Sequence, residues 1–87
     1  MTLYVLPAFV RARKRLIKRD PKKAYIIKEK IELFRKDPKN PALKLHKLSG
    51  FEKDTWSFSI SYELRILISY SGQDILLVDI GTHDELY

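Results

Sequence analysis

The chain has 87 residues, of which 45% are hydrophobic and 32% charged, with a formal net charge of +6 and no cysteine. That balance fits one soluble globular domain over 1–87; it excludes a disordered polymer, a disulfide framework, a thiolate nucleophile and a Cys-based zinc site. The charge is one-sided: residues 1–48 hold fifteen Lys/Arg against four Asp/Glu, and residues 49–87 hold two against seven, so the first half favours an anionic partner.

Thr2 to Leu6 alternates weakly and predicts a short strand. With Pro7 behind it, the segment lacks the basic and long apolar regions of a signal peptide, and no later run approaches the ~18 apolar residues that span a bilayer. The expected compartment is the cytoplasm, with no membrane partner. Ala8 to Arg19 places Phe9, Ala12, Leu16 and Ile17 at helical spacing, and Arg11, Arg13, Lys14, Arg15 and Lys18 on the other face. Asp20-Pro21 ends this helix and starts the next, Asp20 as N-cap and Pro21 in the first turn. The second helix runs to about Lys36 on a stripe of Ala24, Ile27, Ile31 and Phe34, and Asp37-Pro38 ends it.

Leu43 to Leu48 predicts a strand and Gly50 to Asp54 a turn. Trp56 to Ser61 alternates strictly, with Trp56, Phe58 and Ile60 on one face and three serines on the other, as a half-buried antiparallel strand requires. Along Leu64 to Tyr70, Ile66, Ile68 and Tyr70 share a face, and Arg65, Leu67 and Ser69 share the other. Ser71 to Asp74 is a hairpin turn. The run Ile75 to Ile80 reads as a strand buried on both faces, broken by Gly81. Condensed to β-α-α-β-β-β, this is an α+β fold of an N-terminal strand, a helix hairpin and then antiparallel strands, with four strands in all in a largely antiparallel sheet. The helices cover one face, and the face with the serines and Arg65 is open.

Four residues could do chemistry. Arg65 can hold a phosphate bidentately, although an ion pair with Asp79 is the expected structural use of the same charge. His83 follows a strand, where imidazoles serve as surface or capping residues more often than as catalysts. His46 precedes an ordinary turn, and Tyr87 could merely seal the core edge. No motif for a metal, a nucleotide cofactor or Ser-His-Asp chemistry is present.

Taken in order, the basic helix pair, Leu45-His46-Lys47-Leu48-Ser49-Gly50, Trp56, Leu64-Arg65-Ile66-Leu67-Ile68 and Gly81-Thr82-His83-Asp84-Glu85-Leu86-Tyr87 resemble the RelE/ParE toxin superfamily of type II toxin–antitoxin systems. The likeness is greatest to its YafQ-like messenger-RNA interferases. The resemblance covers nearly the whole chain. It implies a compact toxin that enters the ribosomal A site, cleaves mRNA without a cofactor and is silenced by an antitoxin.

By that resemblance His46 and His83 match active-site histidines, Tyr87 a terminal aromatic needed for cleavage, and Arg65 a phosphate-contacting arginine. Ile60, Leu64 and Asp79 stand where some relatives carry further histidine, aspartate or arginine. The expected reaction is metal-independent attack of a ribose 2′-OH on its phosphate, with His46 as base, His83 as acid and Arg65 as charge clamp. Arg11, Lys14, Arg15, Lys18, Lys22, Lys44 and Lys47 would dock on ribosomal or messenger RNA phosphates. The alternatives are a non-cleaving poison like the ParE branch, which binds DNA gyrase, and a basic binding domain without toxicity.

Overall fold

The computed structural model describes residues 2–50 and 54–87, so the middle of the expected Gly50–Asp54 turn lies outside the described residues. Proline presets a helical φ and has no N–H to leave unsatisfied. Strand β1 (Leu3–Val5) therefore passes through Pro7 straight into helix α1 (Pro7–Arg19). Helix α2 (Lys23–Lys36) starts two residues later than expected. Asp20 closes α1, and its carboxylate accepts from the Lys22 backbone N–H, capping a turn over Pro21 and Lys22 that precedes the helix.

A 3-10 turn at Pro41–Leu43 then leads to β2 (His46–Lys47), β3 (Thr55–Ser59), β4 (Leu64–Ser71), β5 (Asp74–Thr82) and α3 (His83–Leu86). The sheet order is β1-β5-β4-β3-β2, five strands where four were expected. β1 lies parallel to β5, and the other neighbours are antiparallel. The predicted Leu43–Leu48 strand keeps only two paired residues. Its first part is instead the 3-10 turn, which drives Leu43 fully into the core. The β4–β5 hairpin closes with Gly72-Gln73, where Gly72 takes the left-handed φ of +61° that two-residue hairpin turns demand.

Phe9, Ala12, Ile27 and Phe34 from the helices meet Phe58, Ile66, Ile68, Ile75, Leu77 and Ile80 from the sheet. Phe34 and Phe58 stack with ring centroids 4.5 Å apart, each ring worth about 1.5–3 kcal/mol by burial. The last strand is not buried on both faces. Ile66 pairs with Ile80 and Ile68 with Leu77, so Val78 is an extra residue, a β-bulge. The bulge shifts the alternation by one. Ile75, Leu77 and Ile80 can all face the helices, while Leu76, Val78 and Asp79 stay half-exposed. Among the described residues no helix is long and apolar enough to cross a membrane.

Candidate active site

Arg65 stands on the sheet face away from the helices, paired across β5 with Gly81. Its Nε donates to Ser57 Oγ at 2.7 Å, and Nη2 donates to the Lys44 carbonyl at 3.4 Å. Ser57 is fully buried, which corrects the expectation of an open serine face: the arginine and neighbouring strands cover its small side chain. The expected ion pair with Asp79 is absent. Register places Asp79 opposite Leu67, and its carboxylate accepts from the Ile80 backbone N–H at 2.8 Å. Among the described residues no carboxylate lies within 4.0 Å of the guanidinium. A half-buried cation held by neutral acceptors keeps its charge for an external anion.

His46 is placed by one unusual residue. Lys44 adopts left-handed φ 50° and ψ 43°, which turns its carbonyl toward the imidazole. His46 Nδ1 lies 3.0 Å from that oxygen and 3.2 Å from Arg65 Nη2. A carbonyl oxygen only accepts, so with its proton on Nδ1 the ring donates to that oxygen beside Arg65, and with its proton on Nε2 it accepts from Arg65 Nη2. The first of these neutral tautomers leaves Nε2 with a lone pair for taking a proton.

His83 opens α3 and Tyr87 follows its end. Thr82 and Glu85 form a reciprocal capping box: Thr82 Oγ1 accepts from the Glu85 N–H at 3.3 Å, and Glu85 Oε1 accepts from the Thr82 N–H at 2.8 Å. The turn folds back over Gly81, which is not a strand breaker, because β5 runs on to Thr82. A Cβ on Gly81 would meet Glu85 Oε1 at 3.0 Å and Leu86 Cδ2 at 3.5 Å, so glycine is what permits the close approach. The His83 and Tyr87 rings then meet edge-on with centroids 4.6 Å apart, and Asp84 Oδ1 lies 3.7 Å from His83 Nδ1.

The Thr82 hydrogen bonds, and more weakly Arg19 and Arg15 on α1, hold the Glu85 carboxyl below its ordinary range. A lowered folded pKa means the cap is complete above the carboxyl's unfolded value and is lost as pH falls through the folded one. The protection of the Thr82 and Glu85 amides, measured by NMR hydrogen exchange relative to the intrinsic rate at each pH, should therefore fall in acid. Glu85→Ala should show the lowered protection already at neutral pH; an unchanged Thr82 amide in that variant would refute the assignment.

His46, Arg65, His83 and Tyr87 line one cleft of about 780 Å³, with Lys47 and Leu86. The seven basic residues divide. Lys47 lines this cleft and Lys44 an adjoining one, whereas Arg11, Lys14, Arg15, Lys18 and Lys22 are exposed but line neither. Among the described residues no three His, Cys, Asp or Glu side chains gather as a metal-ligand set. Sequence reading missed Ser57, the Lys44 backbone and the capping box. Only the last carried a signal, the Thr-x-x-Glu spacing of 82 and 85.

No protein-family model matches the sequence, and no curated protein matches it. Solved structures do. A metal-bound toxin from Helicobacter pylori is 28% identical, with TM-score 0.77 over 100% of this chain and 99% of that one. YafQ from E. coli strain BL21(DE3) is 16% identical, with TM-score 0.82 over 98% and 96%. The toxin fold in the E. coli DinJ–YafQ complex gives 0.81 at 16% identity over the same shares. The chain has the fold of these toxins, that of YafQ among them.

Proposed function

We propose that residues 1–87 form one toxin domain of a type II toxin–antitoxin pair, a cytoplasmic endoribonuclease that cuts mRNA in the ribosomal A site. The observation that carries this reading is the meeting of His46, Arg65, His83 and Tyr87 in one cleft, with no carboxylate among the described residues paired to Arg65. His46 Nε2 takes the proton of a ribose 2′-OH, whose oxygen attacks the adjacent phosphorus. Arg65 Nη1 and Nη2 hold the phosphorane charge, and His83 gives a proton to the departing O5′. The products are a 2′,3′-cyclic phosphate and a 5′-OH. The two imidazoles end with exchanged protonation and reset through solvent. Tyr87, held against His83, orients the nucleotide.

The exposed cations of α1 supply a sequence-independent attraction to ribosomal RNA, which weakens steeply with salt. A cognate antitoxin is the expected protein partner, as DinJ is of YafQ. The groove between α1 and α2, with Ile17, Ala24 and Ile31 on its floor and Arg13 and Lys28 in its lining, suits an acidic amphipathic segment.

The test is to map mRNA 5′ ends on programmed ribosomes with and without the protein. Cuts inside the A-site codon are the expected result. Intact message accompanied by lost gyrase supercoiling would replace this reading with the ParE-like one.

A further inference from the structure

A second cleft of about 670 Å³ adjoins the first, and the two share Arg65 and His83 in their linings. Every phosphodiester carries one nucleoside on each side, so two clefts flanking one arginine–histidine pair match the shape of a dinucleotide. The chemistry gives the pair a direction. His46 borders only the first cleft, and the 2′-OH it deprotonates belongs to the nucleoside 5′ of the cut. The first cleft must therefore take that nucleoside. His83 borders both, as the donor to O5′ must, and the leaving nucleoside falls in the second.

The second cleft has the lining a base needs. Tyr62, on the turn between β3 and β4, is fully exposed, an aromatic face that no other part of the described chain covers. Such faces stack on nucleobases. Glu63 and Asp84 stand in the same lining with Ser59 and Thr82. Carboxylates repel a second phosphate but accept from the amino and imino groups of a base.

We propose that this second cleft is the subsite for the nucleoside on the 3′ side of the cut, with Tyr62 as its stacking platform. The assignment deepens the nuclease reading and rests on it for strand direction. Tyr62 has no packing role, so its replacement leaves the fold intact.

The test loads ribosomes with mRNA carrying 2-aminopurine on one side or the other of each A-site junction in turn, the junction blocked by a 2′-O-methyl group. Binding is then read without chemistry. The 3′-side label should be quenched by the parent protein, released by Tyr62→Ala and quenched again by Tyr62→Phe, while the 5′-side label reads the same with all three. On unblocked message Tyr62→Ala should lower kcat/KM by roughly 5- to 100-fold, the range that loss of one base–aromatic stack spans, mainly through KM. A 5′-side label that responds to Tyr62, or no response on either side, overturns the subsite. The nuclease reading fails separately: a parent that does not cut unblocked message ends it, even where Tyr62-dependent quenching on the 3′ side upholds the subsite.

Discussion

His83→Ala should cut the single-turnover rate of A-site cleavage by about 10²- to 10⁴-fold, the usual worth of a positioned general acid or base. The side chain is three-quarters exposed, so its removal opens no cavity and the loss belongs to the chemistry. A leaving-group substitution separates the two histidines. When the bridging O5′ is replaced by sulfur, departure no longer needs a proton donor, and His83→Ala should recover most of its rate. His46→Ala should not recover, because the 2′-OH still needs a base. Recovery in the His46 variant instead would reverse the two roles.

Lys44→Ile should be far more damaging than Lys44→Gly, although both remove the same ammonium group. The Lys44 carbonyl faces His46 and Arg65 only because the residue sits in the left-handed region, at φ 50°. Glycine holds that conformation freely and a β-branched side chain resists it. Isoleucine should swing the carbonyl away and lower kcat by roughly 10²-fold, the scale of a misplacement of about 1 Å. Glycine should lose only a phosphate contact. Imidazole ¹⁵N shifts give a readout independent of activity: parent and glycine variant keep the proton on Nδ1 of His46, and the isoleucine variant does not. Equal losses in both variants would mean that only the charge of Lys44 matters.

How much could be read from the residues depended on whether the cause was local. Helix stripes such as Phe9, Ala12, Ile27 and Phe34, and the alternation of Trp56, Phe58 and Ile60, state their own periods, and the structure buries each of these at least in part. The last strand misled, because Ile75, Leu77 and Ile80 occupy both odd and even positions, and a bulge is invisible without its partner strand. Arg65 and Asp79 looked like an ion pair for the same reason, since alternation alone cannot say which residues face each other across two strands. The cleft was foreseeable as a set of residue types. Its geometry was not: Ser57 under the guanidinium and the shared Lys44 carbonyl are products of register and of one left-handed residue.

The additional residue at Val78 splits β5 into two independently phased halves. Before it, the odd-numbered positions feed the hydrophobic interior; after it, Ile80 does so, and Gly81 lies beside Arg65 beneath the α3 turn. Evolution can therefore vary the Ile75–Leu77 half for durability without re-aiming the reactive half. The corollary concerns length: loss of one amino acid at 78 would only remove the bulge and leave Ile80 inward and Gly81 beside Arg65, whereas pairing Val78 into a regular strand would trade the faces of Ile80 and Gly81.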